Sequence, residues 1–256
     1  MGQIISVVNQ KGGVGKTTTA VNLAAYLSQL GKFVLLIDLD PQSNATSNLG
    51  ISKELDKGVY EVLTGPYSFK EVMVDTQHEY YKLVPATVSL AGAGVEFVNL
   101  DRREFRLYDN LLEIRNDFDY IIIDCPPSLG LLTINGLVAS DQVLIPVQAE
   151  YFALEGLGQL ISTIGLIQEN IKPELDILGA VLTMYDQRFK LANDVLMELY
   201  RYFPNKIFRS VIPRNIRLSE APSHGQTILA YDPKSKGAKA YERLAKELVY
   251  HTNTYQ

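Results

Sequence analysis

Short, unbroken apolar runs alternate with longer amphipathic stretches along the whole chain. Residues 4–8 (IISVV), 33–37 (FVLLI), 120–123 (YIII) and 142–147 (QVLIPV) are dense in Val, Ile and Leu, and 177–182 (ILGAVL) repeats the theme more weakly. Continuous apolar runs, rather than strict alternation, mark parallel strands covered by helices on both faces. Between them, residues 17–30, 103–116 and 154–169 read as helices. Strands and helices in alternation, joined by right-handed crossovers, predict an α/β fold: a doubly wound, mostly parallel sheet with helices on both faces. No repeat, linker or low-complexity segment interrupts the pattern, so residues 1–256 are expected to form a single domain.

Composition narrows the setting. A 256-residue chain that is 46% hydrophobic can bury a sizeable core. The one cysteine, Cys125, rules out an internal disulfide or a CxxC metal site and points to a reducing cytoplasm. No apolar run approaches the ~18 residues that cross a bilayer, and no signal peptide opens the chain, so no membrane association is expected. The opening MGQIIS fits an N-myristoylation pattern, but Ile4 and Ile5 already read as strand. The net charge of −5 is unevenly spread: residues 1–182 carry 12 Lys and Arg against 22 Asp and Glu, residues 183–256 carry 12 against 7. A basic final third can bind a polyanion if its charges share a face.

Ligands of such sheets sit beyond the carboxyl ends of the strands. Three motif-bearing loops fall there: residues 9–18, 38–43 and 124–128. The first reads NQKGGVGKTT. Gly15-Lys16-Thr17 completes the phosphate-loop pattern G-x-x-x-x-G-K-[ST], but Gln10 stands where the first glycine belongs, and a second lysine, Lys11, precedes Gly12 and Gly13. Gly12, Gly13, Val14 and Gly15 are expected to turn backbone amides toward a phosphate, with glycines removing the Cβ atoms that would obstruct it. Lys16 supplies a mobile positive charge to the β- and γ-phosphates, Thr17 a hydroxyl for Mg²⁺, and Thr18 a contact to the α-phosphate. Asp124, closing an apolar strand, occupies the usual place of a carboxylate that holds magnesium through water. Asp38 and Asp40 close another strand and can serve as metal partner and water-positioner. A nucleoside triphosphate with Mg²⁺ is therefore the expected ligand, and the resemblance described next makes it ATP.

Four segments together, KGGVGKTT, LLIDLDPQSNAT, IIIDCPPSLG and VIPRNIRLSEAPSHG, resemble the ParA/Soj family of chromosome- and plasmid-partitioning ATPases, from Ile4 to about Leu248. The first motif is shared by the wider deviant-Walker-A class, including MinD and the nitrogenase iron protein. The IPRN-x-RLSEAPS-x-G stretch narrows the likeness to Soj-like members. The resemblance implies that Lys11 reaches the nucleotide of a second subunit in an ATP-sandwiching homodimer. A buried triphosphate needs more positive charge than one lysine and one Mg²⁺ provide. It further implies that Asp40 positions the attacking water, Asp38 stands in the outer magnesium shell, Asp124 is the Walker-B acid, and Met184 and Pro213 lie beside the adenine.

The sequence also separates this chain from its cousins. The iron protein needs cluster-ligating cysteines. MinD ends in a basic, membrane-inserting helix, whereas here Tyr241, Leu244, Ala245 and Leu248 form a stripe that reads as packed on the core before a polar HTNTYQ. The first strand starts near residue 4, so the helix-turn-helix that precedes the ATPase in larger plasmid ParA proteins is not expected. Between Asp186 and Arg217 stand seven basic and three acidic residues. Arg188 and Arg217 match DNA-binding positions of Soj-like proteins, and Lys190, Arg209 and Arg214 join them as candidates, although a plain solvated face has the same composition. No base-reading element is visible, so non-specific double-stranded DNA is the expected partner; the resemblance further implies a ParB-type centromere-binding protein that stimulates hydrolysis at the nucleoid. Two readings stand beside this one: a metabolic ligase or kinase of the dethiobiotin-synthetase kind, and a membrane-cycling positioner of the MinD kind.

Overall fold

A computed structural model describes residues 2–150, 156–186, 188 and 190–254. Among them the strands are β1 Gln3–Val7, β2 Val34–Asp38, β3 Val74–Asp75, β4 Tyr81–Val84, β5 Tyr120–Asp124, β6 Gln142–Gln148 and β7 Asp176–Thr183. They form one sheet in the order β3-β4-β2-β5-β1-β6-β7. Every pairing is parallel except β3 with β4. The helices are α1 Lys16–Gln29, α2 Asn44–Asn48, α3 Val59–Thr64, α4 Phe69–Val72, α5 Ala93–Glu96, α6 Arg106–Leu111, α7 Leu131–Ala139, α8 Leu157–Asn170, α9 Lys190–Tyr202, α10 Ile216–Glu220, α11 Ile228–Tyr231 and α12 Lys236–Thr254.

The apolar runs are continuous because each central strand feeds two cores. Leu35, Ile37, Ile121 and Ile123 pack with α6, α7 and α8 on one face. Val34, Leu36 and Ile122 pack with α1 and α12 on the other. Every residue of β2 and β5 is buried. The expected strands and the expected doubly wound sheet are present, with helices on both faces. β3 and β4 were not foreseen: β3 is two residues long, and Lys82 breaks the apolar run of β4. The helix expected over 103–116 is shorter, Arg106–Leu111, followed by a 3₁₀ turn at Arg115–Asp117. The helix expected over 154–169 appears as α8, residues 154 and 155 lying outside the described residues.

Strand order and register assemble the site. β5 lies between β1 and β2, and both Val7 and Asp38 stand opposite Asp124. The three loops singled out from the sequence therefore leave the sheet side by side. On the far side of β6, Gly179 has φ 156°, and a Cβ there would come within 2.8 Å of the Lys206 carbonyl. That close approach lets the chain after residue 206 run alongside β7, with bridges Ala180–Ile207 and Tyr185–Pro213.

Candidate active site

The loop between β1 and α1 is held from both ends. Asn9 donates its side-chain amide to the Pro146 carbonyl at 2.7 Å and accepts from the Lys11 amide at 3.0 Å. Thr183 of β7 donates to the Val14 carbonyl at 2.7 Å. Gly13 and Gly15 adopt φ of 76° and 87°, a region that side chains bearing a Cβ rarely enter. Gly12 and Gly13 are exposed, and Val14 is buried beneath them. Lys16 opens α1, and its buried ammonium donates to the Lys11 carbonyl at 3.0 Å. Burial pushes its pKa down, opposed by the charges of Asp124 and Asp40. Lys11 is half-buried, and among the described residues its ammonium has no ion-pair or hydrogen-bond partner.

Three carboxylates face this loop, in different states. Asp38 is a hub: one oxygen accepts from the Thr46 amide at 2.8 Å and the Thr46 hydroxyl at 2.7 Å, the other from the Asp40 amide at 3.2 Å. Burial raises its carboxyl to about 6, with the Thr46 and Asp40 hydrogen bonds opposing that rise. Thr46, which sequence reading passed over, also accepts from the Ala86 amide at 3.1 Å and so ties the loop after β2 to the exit of β4. Asp40 accepts the Gln42 amide at 2.9 Å on its carboxylate and the Ser43 amide at 2.8 Å on its carbonyl, a tight turn that fixes it over the loop.

Asp124 is the exception. It is wholly buried, yet neither carboxylate oxygen has a hydrogen-bond partner among the described residues. Burial first, and Asp38 second, drive its pKa well up. The Thr17 hydroxyl is near enough to oppose the rise without reaching hydrogen-bonding geometry, and Lys16 adds a smaller opposing effect. Orphaned buried carboxylate oxygens need a counter-charge or a donor from outside the chain. A hydrated divalent cation beside Thr17 fits both needs. Among the described residues no three His, Cys, Asp or Glu side chains converge to hold a bare ion, so its remaining ligands would be phosphate oxygens and water.

From the loop a cleft of about 440 Å³ runs between β7 and α10, with Gly15 and Thr18 at one end. Met184, in the left-handed conformation at φ 51°, and Pro213 both line it. Asn215 was missed. It also lines the cleft, and its side-chain oxygen is buried without a donor among the described residues.

The candidate DNA-contacting arginines do not all share one place. Arg214 donates its amide to the Tyr185 carbonyl at 3.3 Å, which sets it near Asp186. Arg188 pairs with Asp186, with contacts of 2.5–3.1 Å, and holds that carboxyl down to about 2, helped by Arg214. Arg214 also meets Glu150 at 3.3 Å, and Arg217 meets Glu220 at 2.8 Å and Asp232 at 3.5 Å. Arg209 stands apart, its amide on Glu247 of α12 at 2.6 Å. Lys190 begins α9, but its side chain lies outside the described residues.

Comparison with known proteins places this geometry among relatives. Residues 2–177 match a family model described as an AAA domain. The chain is 54% identical to the sporulation initiation inhibitor protein Soj of Bacillus subtilis over 97% of this chain and 98% of that one. It is 52% identical to the chromosome partitioning protein ParA of Myxococcus xanthus over 97% and 88%. Among solved structures, one described as cobyrinic acid a,c-diamide synthase from Mycobacterium smegmatis, with bound ATP analogue and magnesium, superposes with a TM-score of 0.90 at 38% identity, covering 100% of this chain and 97% of that one.

Proposed function

The chain belongs to the Soj/ParA family of chromosome-partitioning ATPases, and on that footing we propose that it is a nucleotide-timed switch. In this reading an ATP-bound sandwich homodimer holds DNA without regard to sequence and releases it on hydrolysis. The observation that carries the nucleotide reading is the buried carboxylate of Asp124, without a hydrogen-bond partner among the described residues, beside Thr17 and Lys16. Thr17 and Asp124 would hold magnesium, Asp124 through water, with Asp38 one shell further out. The ion, when bound, neutralises phosphate charge and aligns the γ-phosphate for in-line attack.

The chain's own residues divide the remaining work. The amides of residues 12–15 cradle phosphates, and Thr18 follows toward the α-phosphate. Lys16 is buried beside Asp124 and Asp40, where its charge acts on the β- and γ-phosphates more strongly than it would in open water. Lys11, without a side-chain partner among the described residues, reaches the nucleotide of a second copy, which makes dimerisation depend on the γ-phosphate. Asp40, held by its turn, orients the attacking water. Met184 and Pro213 flank the base. The lone acceptor of Asn215 fits the 6-amino group of adenine, whereas guanine would present a second acceptor there.

Arg188, Arg214 and Arg217 form the nearer part of the DNA-contacting surface, with Lys190 and Arg209 as further members. Phosphate contacts by arginine carry no base information, which accounts for the absence of sequence preference. A ParB-type protein accelerates hydrolysis, and the protein works in the cytoplasm on the nucleoid. The single sheet supports reading residues 1–256 as one domain. DNA binding measured with ATP, with ADP and without nucleotide tests the switch. Retention only with ATP is expected, and equal binding in all three states would end the proposal. A small carboxylic acid that raised ATP turnover where DNA does not would favour a ligase instead.

A further inference from the structure

The arginines singled out from the sequence are largely engaged by carboxylates of their own chain. A second set of cations is not. Along α12, Lys236, Lys239 and Arg243 recur at spacings of three and four, which places them on one stripe. All three are exposed, and none has an ion-pair partner among the described residues, whereas Lys246 on the next turn is tied to Glu242 at 2.6 Å. The opposite face of the helix is already occupied, with Ala238, Tyr241, Leu244, Ala245 and Leu248 buried in the core.

The stripe joins the surface already described. A Cβ at Gly237 would lie 2.7 Å from the Leu218 side chain, so the first turn of α12 is pressed onto α10, which carries Arg217. Further along, Arg209 lies beside Glu247 of α12 and has no ion-pair partner of its own among the described residues. Lys236, Lys239 and Arg243 thus lie between Arg217 near the start of α12 and Arg209 further along it, with Glu242 and Glu247 on adjoining turns, on a chain whose net charge is −5.

We propose that the α12 stripe of Lys236, Lys239 and Arg243 binds the phosphate backbone of double-stranded DNA, continuing the contact begun at Arg217. This rests on the DNA-binding reading above. From Lys236 to Arg243 the helix rises about 10 Å, a length over which one DNA strand presents about three phosphates. A membrane would require an apolar face to insert, and the apolar face of this helix is spent on the core.

The test is the salt dependence of binding to a random-sequence duplex with ATP, using full-length wild type, K236Q/K239Q/R243Q and a charge-matched control, K70Q/K82Q/R102Q. The stripe variant should bind more weakly. Its plot of log affinity against log salt should be shallower by about 2.7 per protomer, roughly 0.9 for each lost phosphate contact. Its basal ATP hydrolysis and ATP-dependent dimerisation should match wild type. An unchanged slope, or an equal loss in the control, overturns the stripe while leaving DNA binding intact. Failure of wild type to bind DNA at low salt overturns the underlying reading and the stripe with it. Co-sedimentation of wild type, but not the stripe variant, with phosphatidylglycerol vesicles, together with unchanged DNA slopes, would assign the stripe to lipid and refute the proposal.

Discussion

At the scale of single residues, the two lysines of the phosphate loop differ in what already holds them. Lys16 is buried and bonded to the loop it serves, while the Lys11 ammonium has no partner among the described residues. Lys16→Ala should abolish ATP binding, because it removes the charge at the centre of the cradle. Lys11→Ala should bind ATP as a monomer nearly as wild type does and fail to dimerise. Calorimetry paired with sedimentation distinguishes them, and a Lys11→Ala protein that dimerises normally with ATP refutes the role of the second lysine. Asn215→Leu should weaken ATP binding by about 1 kcal/mol, roughly fivefold, and narrow the preference for ATP over GTP. Competition between the two nucleotides reads this directly. The lysines were legible in the sequence because glycine spacing announces a phosphate loop. Asn215 and Thr46 were not, because an isolated Asn or Thr near a short helix looks like an ordinary cap. Only the fold shows one with an orphaned acceptor in a cleft and the other bonded to Asp38.

Elements decide how rigidly those residues are presented. α7 packs directly behind the carboxyl end of β5, where a Cβ on Gly136 would meet the Cys125 sulfur at 2.7 Å and the Ser6 hydroxyl at 3.4 Å. Gly136→Val should therefore cost about 1–3 kcal/mol through overpacking. It should also weaken ATP binding by displacing Asp124, the neighbour of Cys125. Thermal unfolding and nucleotide titration of the same variant check both effects, and unchanged ATP affinity would show that β5 tolerates the push. The two-faced strands were readable because Val/Ile/Leu runs such as 120–123 must be covered twice. The β3–β4 edge was not, since a lysine within Tyr81–Val84 breaks the apolar run and β3 is only two residues long. The helix expected over 103–116 was overextended because its apolar positions continue past Leu111, where the backbone tightens into a 3₁₀ turn.

For the molecule as a whole, charge is arranged rather than merely counted. Sequence totals marked the final third as basic, yet Arg188, Arg214 and Arg217 each face a carboxylate from the same chain. DNA binding then requires those pairs to be exchanged for phosphate contacts, and Arg188→Glu with Arg217→Glu should eliminate it while sparing ATP-dependent dimerisation. A double variant that still shifts plasmid DNA at low salt would mean these arginines are only a solvated face. Hydrolysis as the timer of release is the central claim, and Asp40→Ala probes it at one atom group. Lys11, Lys16, Thr17 and Asp124 remain in that variant, so ATP and DNA should still bind, whereas the water loses its positioning group. The decisive measurement is ATP turnover recorded beside the rate of dissociation from DNA. Turnover should collapse, and the variant should stay on DNA long after wild type has left. Normal hydrolysis by Asp40→Ala, or dissociation at the wild-type rate despite lost hydrolysis, would contradict the account.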